Sequence, residues 1–224
     1  MDVQALRLSL ELATLTTAAL LALGLPVAHW LSRSRWRLKF LVEAVVALPL
    51  VLPPTVLGFY LLAALGPRSP LGRGWEAILG ERFPFSFGGL LVASILYSLP
   101  FAVQPFAAAI SAVDARLVEA SHTLGASPLR TFFRVTLPLS RNGIVAGAVL
   151  AFAHTLGEFG VVLMVGGNIA GRTRTLSIAI FDHVEALEYG AANRTSALLL
   201  AISFSVLILV HALQRRPPSP WNAR

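Results

Sequence analysis

Glu158 is a carboxylate inside a long apolar stretch, set between Gly157 and Gly160, with His154 four residues before it. An ionisable group in such a setting is costly and is a functional candidate by default. Helical spacing brings His154 within reach as a partner, and the flanking glycines let a second helix approach closely. A second apolar stretch carries Pro53, Pro54 and Thr55 at its middle. Prolines free carbonyls and glycines expose backbone, so both segments need polar or aqueous surroundings that lipid does not supply. Pro53, Pro54, Thr55, Gly157, Glu158 and Gly160 are therefore the expected lining of a path for a polar solute, handled by hydroxyl and backbone N–H donors. Simple kinks between packed helices are the alternative for any single proline.

Nothing else in the sequence points to bond-making chemistry. The histidines, His29, His122, His154, His183 and His211, lack metal-ligand spacing, cysteine is absent, and no serine, histidine and acid set converges. Gly166, Gly171, Arg172 and Thr173 imitate a phosphate loop, but Arg172 stands where lysine is needed and no strand precedes it. We expect no catalytic residue, no metal and no cofactor, and no ATP hydrolysis by this chain.

The elements that must position these residues follow from composition. Hydrophobic residues make up 56% of 224 and charged ones 13%, with a mean hydropathy of +0.73, which points to lipid as solvent. A crossing takes roughly 20 apolar residues, and the runs predict five spans, at about 10–32, 44–66, 86–110, 142–165 and 195–214. The fourth reaches spanning length only by continuing through Glu158 to about Val165. Gly143, Gly147 and Ala151 make a stripe of small residues along it that suits close packing. The expected fold is an all-α polytopic membrane protein, with residues 1–214 as one transmembrane domain. Asp2, Arg7 and Glu11 nearly cancel ahead of a full-length first span, unlike a cleaved leader.

The net charge of +7 suits basic loops that fix orientation better than a nucleic-acid partner. Placing Arg33 to Lys39, residues 111–141 and the tail 215–224 on the cytoplasmic side gives that side 11 of the 18 basic residues. The N-terminus is then outside and the C-terminus inside. The tail, with Pro217, Pro218 and Pro220, reads as a frayed end.

The loop 111–141 is too charged for lipid and too periodic for an idle linker. Ser111 and Asp114 are candidate caps for a helix starting near Ala115 and closed by Gly125. Ser127 caps a second, with Pro128 at its first position and a stop before Pro138. Two short helices around a glycine are thus expected to project between spans three and four.

Glu119, Ala120, Ser121, Gly125, Val135, Leu137 and Pro138 resemble the Glu-Ala-Ala motif of ABC importer permeases, with Ser121 where alanine is usual and Val135 where isoleucine is usual. The segments PLVLPPTVLGFYL (49–61) and HTLGEFGVVLMVGGN (154–168) are similar to the molybdate branch of those permeases, close to the sulfate permeases. The resemblance spans about Leu10 to Leu213. It implies a bacterial or archaeal inner-membrane subunit that imports molybdate, with Glu119, Ala120, Ser121, Gly125, Leu137 and Pro138 seating in a groove of the ATPase. It also implies a homodimer, two ATPase copies and an external oxyanion-binding protein. Sulfate, thiosulfate or tungstate remain alternative cargoes. A stand-alone channel or ion-coupled carrier is the alternative class, which should show inverted repeats and intramembrane coupling charges, and only Glu158 qualifies as one. An anion would be repelled by Glu158, which on this reading lines or braces the path without touching its cargo.

Overall fold

The computed structural model describes residues 2–214, so the tail 215–224 lies outside the described residues. These residues form helices and connecting turns, without a strand among them. In order they are α1 (Val3–Arg33), α2 (Lys39–Val51), α3 (Pro54–Leu65), α4 (Pro70–Leu79), α5 (Phe87–Ser111), α6 (Ala115–Thr123) and α7 (Pro128–Thr131). A π-turn (Phe132–Thr136) then leads into α8 (Leu137–Gly157), followed by α9 (Gly160–Gly166), α10 (Leu176–Glu185) and α11 (Tyr189–Gln214). Four runs are long and apolar enough to cross a bilayer: α1, α5, Pro128–Gly157 and Tyr189–Val210. The pair α2–α3, bent by 115°, is a fifth candidate.

The core lies where α1, α5 and α8 meet, filled by Leu20, Phe106, Ile110, Ile144 and Ala151 among others. The small-residue stripe of α8 makes this possible. A Cβ on Gly147 would stand 2.8 Å from the Phe106 ring, and one on Gly143 would collide with Ala109. With little hydrophobic drive between helices in lipid, such close approach is what holds them together.

Both ends of the bundle are defined by side-chain contacts. At one end Lys39 Nζ reaches the Leu31 carbonyl at 3.4 Å, and His29 meets Phe132 edge-on at 4.7 Å. The loop 33–39 and the hairpin of α6 and α7 therefore share that end. At the other end Asp2 faces Arg174 at 3.9 Å and Glu81 faces Arg172 at 3.8 Å. The pair α2–α3 runs from the first end to the second, because Lys39 opens it and α4, which precedes Glu81, follows it.

Three local expectations are corrected. Ser111 does not cap the hairpin helix: it is the last residue of α5. The helix from Pro128 does not stop before Pro138 but runs on to Gly157. Proline has no N–H and its ring collides with the carbonyl four residues back. The widened π-turn absorbs this, the Leu137 N–H bonding to Phe132 five residues earlier. Finally, the helix does not pass through Glu158. It ends at Gly157, so the length needed to cross comes from the hairpin side and not from residues up to Val165.

Candidate functional site

Two helices are broken, and the breaks touch. Leu52 and Pro53 separate α2 from α3, and Glu158 and Phe159 separate α8 from α9. A Cβ added to Gly160 would stand 2.6 Å from the Pro54 Cβ, and one on Gly58 would stand 2.6 Å from the Met164 Cβ. The structure thus brings Pro54 against Gly160. Thr55 is exposed, and Gly157 is open, with nothing within 4 Å of the Cβ position.

Glu158 is buried at 7% exposure. Its Oε1 accepts the Val161 N–H at 2.9 Å. The carboxylate caps α9, satisfying an amide donor that the break would leave orphaned. It does not pair with His154, as the spacing suggested. The chain leaves helical geometry at Glu158 (ψ 135°), so the two side chains no longer share a helical face.

His154 is instead held by a hydroxyl cluster that sequence reasoning missed. Ser98 Oγ lies 2.9 Å from His154 Nδ1 and 2.8 Å from Thr155 Oγ1, and Thr155 donates to the Ala151 carbonyl at 2.9 Å. Counting protons fixes the roles. The Thr155 proton is committed to Ala151, so Ser98 donates to Thr155 and His154 donates from Nδ1, which in the neutral ring makes Nε2 the lone-pair nitrogen. Phe101 stacks on the imidazole at 3.7 Å between ring centroids and Tyr97 flanks it at 5.0 Å. The available signal was Ser94 and Ser98, hydroxyls one turn apart inside an apolar helix.

The hairpin forms from local rules. Asp114 accepts the Arg116 N–H at 2.9 Å, Ser127 accepts the Arg130 N–H at 3.3 Å, and Gly125 adopts φ +80°. Ser121 Oγ and Thr131 Oγ1 lie 3.0 Å apart and tie α6 to α7. No residue of α6 is buried, and Glu119, Ala120, Leu117 and Leu124 all stand exposed. The helix thus carries its leucines in the open. Leu137 and Pro138 are not on that surface. They begin α8, where Leu137 packs against the core, so the structure separates them from Glu119, Ala120, Ser121 and Gly125.

The segment that imitates a phosphate loop is a braced turn. Thr173 is fully buried, its hydroxyl donating to the Gly166 carbonyl at 2.7 Å and accepting from the Ile169 N–H at 3.2 Å.

A bundle of membrane-length helices with two touching breaks and an exposed helical hairpin at one end is the architecture of a transporter's membrane subunit. Residues 21–217 match the family described as the binding-protein-dependent transport system inner membrane component, and the chain belongs to that family. It is a multi-pass inner-membrane transport subunit of an ABC importer, a class in which ATP hydrolysis belongs to separate subunits and a binding protein delivers the cargo. The chain is 53% identical over 214 residues to the molybdenum transport system permease protein ModB of Azotobacter vinelandii, covering 96% of this chain and 95% of that one. It is 38% identical over 214 residues to the protein of the same name in Escherichia coli K12, covering 95% and 93%. Among solved structures, a bacterial ABC transporter importing the acidic polysaccharide alginate superposes with a TM-score of 0.78 at 16% identity, over 97% of this chain and 80% of that chain. The MetNI methionine ABC transporter gives 0.73 at 19% identity, over 96% and 97%. At those identities the likeness is one of fold.

Proposed function

We propose that this chain is the permease of an ATP-driven molybdate importer. Residues 1–214 act as one transmembrane domain that assembles as a homodimer with two ATPase copies and an external oxyanion-binding protein. The observation that supports translocation is the contact between the two helix breaks, Pro54 against Gly160. Exposed Thr55 and open Gly157 beside that seam offer hydroxyl and backbone to a passing ion. The molybdate assignment rests on the similarity to the ModB proteins. Energetics requires a driven subunit, since a dianion entering against an inside-negative potential costs about 4.6 kcal/mol per 100 mV for its two charges.

On this reading Glu119, Ala120, Ser121 and Gly125 form the docking surface for the ATPase, with Leu137 and Pro138 passing its movement to the bundle. Pro53, Pro54, Thr55, Gly157 and Gly160 line the path, and Glu158 braces it. The N-terminus is outside and the hairpin cytoplasmic. Reconstitution with the ATPase and binding protein tests the reading. ATP-dependent uptake of molybdate is expected, with tungstate competing and sulfate not. Uptake of sulfate or thiosulfate in preference would overturn the assignment of cargo, and uptake without ATP would overturn the class.

A further inference from the structure

On α5, Tyr97, Phe101, Gln104, Ala108 and Ser111 recur at intervals of four and three and so form one stripe. The stripe starts where Tyr97 and Phe101 hold His154, beside the break that ends α8. It then lines a cavity of about 340 Å³ that Leu50 and Leu150 border from α2 and α8. That cavity shares Gln104 and Ala108 with a second, of about 530 Å³, between α2 and α5. The two make a continuous trough from the helix breaks to the hairpin end of the bundle.

Its polar groups are few and specific. Gln104 is exposed about two turns from the end of α5 and has no hydrogen-bond partner among the described residues. An amide facing hydrocarbon without a partner is costly, so that face meets water or a polar ligand. At the mouth stands Lys39, the only cation among the described residues that line either cavity. Its ammonium lies 3.7 Å from Glu43 and 3.4 Å from the Leu31 carbonyl.

We propose that this trough is the inner leg of the oxyanion's route, with Gln104 as a donor station and the Lys39–Glu43 pair as the release site. The inference rests on the transport reading above. The Gln104 amide donates to the anion as it leaves the breaks, and Lys39 draws it to the mouth. A lone ammonium would retain a dianion. Glu43 cancels that charge and competes for the same protons, so binding stays weak enough for exit.

The test uses the assembled transporter. The chain has no cysteine, so Ala108→Cys gives a single thiol in the permease, and its reaction with an impermeant thiol reagent from the ATPase side is followed on the permease band. The thiol is expected to react, and molybdate to slow the reaction. Leu200→Cys, on the exposed face of α11 at 71% exposure, is expected to show no molybdate effect. Glu43→Gln should lower the molybdate concentration needed for protection about tenfold, the effect of roughly 1.4 kcal/mol of added anion affinity, and Lys39→Gln should raise it. A thiol at 108 that never reacts, or reacts at a rate blind to every oxyanion while wild-type uptake is intact, overturns the trough. Protection by sulfate and not molybdate leaves the trough in place and overturns the molybdate assignment instead.

Discussion

At the scale of single residues, the distinction that matters is between Glu158 as a charge and Glu158 as a hydrogen-bond acceptor. Its carboxylate is spent on the Val161 N–H in the first turn of α9. Glu158→Gln keeps an acceptor oxygen and is expected to retain ATP-driven uptake. Glu158→Ala removes the cap, at about 1 kcal/mol by analogy with other N-caps, and is expected to impair both thermal stability and uptake. If Glu158→Gln abolished uptake while leaving the unfolding midpoint unchanged, the charge itself would be functional and the bracing role wrong. The glycines separate in the same way. Gly160→Ala places a methyl 2.6 Å from the Pro54 Cβ and should destabilise by about 1–3 kcal/mol, the usual cost of overpacking. Gly157→Ala meets nothing and should leave the melting temperature in detergent unchanged or slightly raised. Equal effects of the two would mean that the seam is looser than its geometry.

At the scale of elements, what was legible in the sequence was whatever chain neighbours decide among themselves. Asp114, Gly125, Ser127 and Pro128 announce the hairpin because a cap or a left-handed turn involves groups only two to four residues apart. α4 and α10 are capped just as locally, by Ser69 and Thr175, but both lie between the long apolar runs, where hydropathy gives no signal. The fates of Pro138 and Glu158 were illegible for a different reason. Whether a proline ends a helix or is absorbed by a π-turn, and whether a carboxylate sits in a helix or caps the next one, depends on packing from distant segments. The meeting of Pro54 with Gly160 is likewise a contact across more than a hundred residues of sequence, and only the separate glycine and proline signals were visible. The hairpin itself makes a sharp prediction. Gly125→Val forces a β-branched residue into φ +80°, and Glu119→Lys reverses the charge of the exposed helix. Together they are expected to lower uptake in vesicles by at least tenfold while the permease still folds and inserts. Uptake at wild-type rates would remove this hairpin from the coupling path.

At the scale of the whole molecule, the two ends of the bundle are unlike. Arg33, Arg35, Arg37 and Lys39 lie at the hairpin's end, the distribution expected of a cytoplasmic face. Single cysteines at Ser69, Ser127 and Ser219 are expected to divide accordingly. Position 69 should react with an impermeant reagent in intact cells, while 127 and 219 react only after the membrane is opened. Labelling of position 127 in intact cells would invert the molecule. The π-turn at Phe132–Thr136 has a bearing on this polarity that is one of phase. One residue beyond the α-helical count rotates everything on its far side by about 100°. The direction in which α6 points therefore depends on a counting offset as well as on the Ser121–Thr131 tie to α7. Deleting a single residue between Phe132 and Thr136, together with Pro138→Ala, would shift that phase by about 100° and set it against the Ser121–Thr131 tie of the hairpin.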